Sequence, residues 1–113
     1  MSDNVAVVTA ADWEREVVRA AEPVLVDFWA EWCAPCRVLA PVVAAVAAQY
    51  VGRLKVVKLD VGASPEIAGR YGVQAFPTLL LLHAGRVLEQ RIGALPKSEL
   101  VRMLEPHVTL AAR

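Results

Sequence analysis

Two cysteines with two residues between them, in Cys33-Ala34-Pro35-Cys36, are the part of this 113-residue chain best equipped for chemistry. Residues three apart share one face of a helix, with Cβ atoms about 5–6 Å apart, whereas a disulfide asks for about 3.8 Å. A slight flex of a helical first turn therefore closes the bond. At a helix start, free backbone N–H groups and the positive end of the dipole favour a thiolate. Cys33 falls at such a start, and Cys36, one turn inward, is expected to be more buried and a poorer thiolate. That asymmetry assigns roles: Cys33 attacks a substrate disulfide, and Cys36 resolves the mixed disulfide. A zinc site requires two more ligands, yet the chain has no other Cys, and His83 and His107 lie on separate predicted elements. A structural bond closing so short a loop removes little entropy from the unfolded chain.

Asp27 is the second candidate. It is the only charge in the apolar run Val24-Leu25-Val26-Asp27-Phe28-Trp29-Ala30. A carboxyl buried there resists ionising, which suits a proton shuttle for Cys36. The alternative is a buried ion pair with Lys58, on the neighbouring predicted strand, serving structure alone.

These residues need a scaffold that holds them, and the pattern of the chain predicts one. Val5 to Val8 reads as a strand, and Thr9 with Asp12 as a capping box opening a helix through about Ala20. The run from Val24 to Ala30 reads as a strand covered on both faces. A helical pattern extends from Cys33 to about Tyr50 with Pro41 inside it, a residue that removes a backbone donor and kinks helices. Leu54 to Asp60 is a further strand. Ser64-Pro65-Glu66 starts a short helix as N-cap and N1 proline, and Gly72 suits its end. Thr78 to Leu82, a turn at Ala84-Gly85, and Arg86 to Ile92 make an antiparallel hairpin, and Pro96 opens a last helix through about Glu105. The order is β-α-β-α-β-α-β-β-α: a parallel sheet between helices, extended by antiparallel strands. Ligand chemistry in such sheets gathers beyond the carboxyl ends of the strands, where the cysteine pair falls. Trp13 reads as core packing, and an aromatic in a central strand, such as Trp29, is more often core as well.

Composition narrows the function classes. Hydrophobic residues make up 57% of the chain, ample for one packed core at this length. Twelve basic and twelve acidic residues cancel, leaving no electrostatic footprint for nucleic acid or an anionic membrane. The polar start Met1-Ser2-Asp3-Asn4 lacks a basic n-region, and no apolar stretch approaches a membrane span. A soluble cytoplasmic protein is expected, where two cysteines are catalytic or metal-binding rather than a staple.

The segment Trp29-Ala30-Glu31-Trp32-Cys33-Ala34-Pro35-Cys36-Arg37 resembles the active-site segment of the thioredoxin family, and Val26-Asp27-Phe28 before it matches too. Pro41, Phe76-Pro77-Thr78, Gly85 and Gly93-Ala94-Leu95 fall at further positions of the family pattern, so the resemblance runs from about Asp3 to Leu104. It implies an α/β thioredoxin fold, a central mixed five-stranded sheet flanked by four helices in a single domain over 1–113. It implies a protein-disulfide reductase and electron carrier without a bound cofactor, the cysteines being the carrier. The catalytic set it implies is Cys33, Cys36, Asp27 and Lys58. The docking surface would comprise Trp29, Trp32, Ala34, Pro35, Ala75, Phe76, Pro77, Gly93 and Ala94, with Pro77 cis and facing the cysteines. Implied partners are disulfide-containing proteins and a thioredoxin reductase, more commonly an NADPH-dependent flavoprotein, acting on a monomer.

Departures from the family pattern are Ala34 for the usual Gly, Phe76 for Ile, Ala75 for Gly, Gly62 for an acidic residue and Arg37 for Lys. Neither residue between the cysteines is the His found in oxidising relatives, which argues for a reductant. An oxidase or isomerase on the same fold, and a non-redox interaction subunit, stand as the competing readings.

Overall fold

The computed structural model describes residues 4–111; Met1, Ser2 and Asp3, with the start of the family resemblance, lie outside the described residues. The elements are β1 (Val5–Val7), a leading helical segment (Ala10–Asp12, then Glu14–Val18), β2 (Val24–Trp29), α1 (Ala34–Gln49), β3 (Lys55–Asp60), α2 (Pro65–Arg70), β4 (Thr78–His83), β5 (Arg86–Ile92) and α3 (Lys97–Ala111). The sheet runs β1-β3-β2-β4-β5. The first three strands are parallel, and the hairpin adds β4 antiparallel to β2 and β5 antiparallel to β4. Among the described residues no helix is long and apolar enough to cross a membrane.

β2 lies in the middle of the sheet because its apolar run serves both faces. Val24, Val26 and Phe28 join one core layer with the leading segment and α2; Leu25 joins the other, with α1 and α3. Side chains alternate along a strand, so Asp27 faces the α1 layer with Leu25. The register sets Asp27 beside Lys58 on one side and Leu79 on the other. Trp13, fully buried, packs on Phe28 and Tyr71 and donates its indole N–H to the Tyr71 hydroxyl at 3.3 Å.

Several local expectations are corrected. The leading segment is a 3-10 turn followed by a π-helical stretch, not a regular α-helix. Its Asp12 carboxylate does accept the Thr9 N–H, at 2.7 Å. The Arg19 N–H bonds five residues back to Glu14, and the Ala10 N–H is drawn away to Ser64 Oγ at 3.0 Å. Ser64 thereby fastens the two helices of this layer together instead of capping α2 with its hydroxyl. The last helix continues through Pro106 rather than stopping at Glu105. A proline inside a helix costs about 3 kcal/mol. Beyond it, Val108 is fully buried and His107 Nε2 meets a Glu89 carboxylate oxygen on β5 at 2.9 Å, which offset that loss. α1 is likewise continuous across Pro41, which is exposed.

Candidate functional site

The redox pair is built by the junction of β2 with α1. Cys33 is the N-cap of α1, with extended backbone (φ −98°, ψ 104°), and Cys36 is the third residue of the helix. The Cys33 N–H closes a turn onto the Ala30 carbonyl at 3.1 Å. The two cysteines are paired as a disulfide, with Cα atoms 5.3 Å apart. Pro35 occupies the first turn, where its missing N–H breaks no helical bond. The Cys36 N–H points back to Cys33 Sγ at 3.2 Å. This is N-capping with sulfur as acceptor, and a thiolate at that position accepts the same bond more strongly.

Burial does not divide the cysteines as expected. Cys33 is 3% exposed and Cys36 4%, so Cys33 is not the open sulfur beside a buried partner. In the disulfide each sulfur covers the other, and the solvent-facing part of the turn consists of the flanking residues. Trp32 is 71% exposed, and Ala34, Pro35 and Arg37 are exposed too. The turn is therefore open while the sulfurs are recessed within it. What separates the two sulfurs is their company: Cys33 has a backbone donor, and Cys36 borders a cavity.

That cavity, of about 190 Å³, is lined by Asp27, Trp29, Cys36, Arg37, Ala40 and Lys58. A second cavity, of about 490 Å³, shares Asp27, Ala40 and Lys58 and continues under Pro41 toward Val5 and Val7. Asp27 is 4% exposed and its Oδ1 has no hydrogen-bond partner. Burial pushes its carboxyl up to about 6, against the opposing pull of the Lys58 charge. Lys58 holds its ammonium over the Trp29 ring, 5.5 Å from the centroid. No contact ion pair joins it to Asp27 among the described residues. Trp29 is half-buried, and its indole N–H is buried without a partner. It packs against the core and also lines the cavity beside Cys36.

Contacts join several of the proposed docking residues to one another and, through Trp32, to the cysteine loop. The Phe76-Pro77 bond is cis, as the resemblance implied. The Trp32 ring meets Phe76 edge-on at 5.6 Å, joining the cysteine loop to the proline loop. The Gly93 N–H donates to the Pro77 carbonyl at 2.9 Å, from a left-handed backbone (φ 105°) that suits glycine, and so brings Gly93-Ala94 alongside. Ala75 and Ala94 are exposed, Phe76 is half-buried and Pro77 buried.

Three contributors escaped the sequence reading. Thr78 is buried and donates its hydroxyl to the Ala75 carbonyl at 2.6 Å, closing the loop that carries Pro77. A hydroxyl residue immediately after a proline at a strand start was the available signal. Ala40 lines both cavities, and no residue type announces that. Arg37, noted in the sequence only as a departure from the usual Lys, donates to the Glu31 carbonyl at 2.8 Å. Among the described residues, no group of three or more His, Cys, Asp or Glu is placed to hold a metal.

The thioredoxin family model matches residues 4–106. The chain is 45% identical over 101 residues to thioredoxin 1 of Nostoc sp., covering 89% of this chain and 94% of that one. It is 44% identical over 108 residues to the thioredoxin of Pseudomonas aeruginosa, covering 96% and 100%. Chloroplastic thioredoxin M5 of Oryza sativa subsp. japonica is 41% identical over 107 residues, covering 95% of this chain and 62% of that one.

Proposed function

The chain belongs to the thioredoxin family and is a thiol–disulfide oxidoreductase that reduces protein disulfides; from that premise we propose how its residues divide the reaction. In the dithiol state Cys33 is the nucleophile. Its thiolate attacks one sulfur of a substrate disulfide, forming a mixed disulfide and releasing one substrate thiolate, which takes up a proton. Cys36 then loses its proton to the Asp27 carboxylate across the shared cavity and attacks Cys33 Sγ. The second substrate thiolate leaves and takes up the proton that Asp27 received, and Cys33 and Cys36 are joined. Two electrons and two protons pass to the substrate. The observation that carries this order is the Cys36 N–H on Cys33 Sγ, a donor that stabilises charge on one sulfur only.

Lys58 lies near Asp27, and its charge limits how far burial raises that carboxyl. Trp32, Ala34, Pro35, Ala75, Phe76, Pro77, Gly93 and Ala94 receive an extended polypeptide around its disulfide, with Trp29 behind the pair. Apolar contacts and free backbone groups suit such a partner without demanding one sequence. The chain acts as a single domain and a monomer in the cytoplasm, without nucleic-acid or membrane partners. An NADPH-dependent flavoprotein reductase returns its electrons. The absence of His at both Ala34 and Pro35 supports a reductant over an oxidase or isomerase.

The test is insulin reduction driven by dithiothreitol, followed by turbidity, for the parent and for Cys33→Ser. The parent accelerates precipitation and the variant does not. A variant as active as the parent refutes the mechanism, and a reduction potential well above that of glutathione refutes the reductant assignment.

A further inference from the structure

We propose that Arg37 is a positioning residue for Cys33, acting through the backbone of the loop before it rather than through its charge on the sulfur. The inference rests on the reading of Cys33 as nucleophile. The loop from Glu31 to Cys33 connects the central strand to α1 and carries both the exposed Trp32 and the attacking sulfur. Its one end is fixed by the Cys33 N–H on the Ala30 carbonyl at 3.1 Å. The Glu31 carbonyl is held by the Arg37 guanidinium, at 2.8 Å, reaching back over the first turn of the helix. Arg37 follows Cys36 directly, and its side chain also walls the cavity behind Cys36. One side chain thus ties the loop to the same turn that supplies the Cys36 N–H.

That N–H is the backbone donor the structure places on Cys33 Sγ. Pro35 contributes no donor, and the N–H of Cys33 itself is spent on Ala30. The bond from Cys36 N to Cys33 Sγ depends on the rotation of the N-cap residue relative to the helix, and hydrogen bonds weaken steeply as they bend. Untying Glu31 lets Trp32 and Cys33 turn away from the helix. Neither partner of the Arg37 bond is a sulfur, so opening the disulfide removes neither. A lysine retains the charge but is a flexible, strongly hydrated point donor that does not replace the planar guanidinium fork. Charge and position are therefore separable by substitution.

The experiment compares the parent with Arg37→Lys and Arg37→Met, all reduced, by the pH profile of iodoacetamide alkylation with the modified cysteine identified by mass spectrometry. Unfolding midpoints establish that each variant is folded. Positioning predicts that the Cys33 thiol rises by about half a pH unit or more in Arg37→Met, and that Arg37→Lys recovers less than half of that rise. A lysine variant recovering more than half shows that charge suffices, and an unchanged methionine variant shows no role; either overturns the proposal. Alkylation falling on Cys36 in the parent instead overturns the nucleophile assignment beneath it, a distinct failure.

Discussion

Replacing Asp27 with Asn separates the two consequences of burying a carboxyl behind the redox pair. Burial lifts that carboxyl from its ordinary 3.8 to about 6. At about 1.4 kcal/mol per pH unit, keeping it ionised costs the folded protein about 3 kcal/mol at pH 7 and above. Because the folded value exceeds the unfolded one, the stability linked to this group is complete below 3.8 and is lost as the pH rises through about 6. Asn has the same shape and never ionises, although its amide inherits a site where Oδ1 already lacks a partner, a debit of about 1–3 kcal/mol. The protonated acid carries part of that debit too. The expected net gain is about 1–3 kcal/mol at pH 8, vanishing near pH 4.

The chemistry moves the other way. A thiol with an unperturbed pKa of about 8.5 is only a few per cent thiolate at pH 7, so a base that deprotonates Cys36 is worth at most about 30-fold there. Asp27→Asn should slow resolution of a preformed mixed disulfide by up to that factor at pH 7, and the deficit should close toward pH 9. Guanidinium unfolding between pH 4 and 8 reads the first effect, and stopped-flow resolution between pH 6 and 9 the second. Equal stability at pH 8, or a rate deficit that stays constant with pH, refutes the reasoning.

Cys36→Ser should accumulate a covalent adduct with disulfide-bearing proteins, visible on non-reducing gels, whereas Cys33→Ser should not. Glu89 is held below the usual carboxylate range, chiefly by His107 with Arg91 assisting. Its linked stability is therefore present above the ordinary carboxylate value and is lost as the pH falls through the lowered one. Glu89→Gln should cost about 0.5 kcal/mol at pH 6, less in high salt, measured by chemical unfolding. Ala84 holds a left-handed backbone (φ 54°) beside Gly85 (φ 81°) in the β4–β5 turn. Ala84→Gly should raise stability by about 0.5 kcal/mol, because glycine bears no steric penalty there; an unfolding midpoint that falls contradicts this.

The strand and helix order was legible because its signals are local and strong. The apolar run at Val24 to Ala30 reads as a doubly covered strand, and Ala84-Gly85 as a tight turn, whatever the remainder of the chain does. The corrections arise where a distant contact outweighs a local rule. Ser64 has the sequence context of a helix cap, yet the Ala10 N–H, 54 residues away in the chain, claims its hydroxyl. Pro106 signals a stop, yet Val108 finds a buried place beyond it. No spacing in the chain foretells the π-helical stretch from Glu14 to Val18. In the site, the cysteines, Asp27 and the Phe76-Pro77 loop were visible by residue type. Arg37 and Thr78 were not, because both act on backbone carbonyls that the sequence does not display.

The equal burial of the two sulfurs changes the physical basis of their division of labour. In the disulfide the two cysteines are buried alike, at 3% and 4% exposure. Exposure therefore cannot rank them in the disulfide state. What ranks them is where compensation is available. Cys33 lies at the positive end of α1 with a backbone N–H on its sulfur, while Cys36 lies within the helix and turns toward a cavity whose nearest acid has an incompletely satisfied carboxyl. In the proposed reaction one sulfur is stabilised as an anion by fixed dipoles, and the other becomes an anion by handing its proton to a neighbour. The first route works before substrate arrives. The second draws on an acid that burial tunes to about 6, so at neutral pH it is ionised and ready to accept. Attack first by Cys33 and then by Cys36 thus follows from helix geometry and the buried carboxyl, without any difference in access.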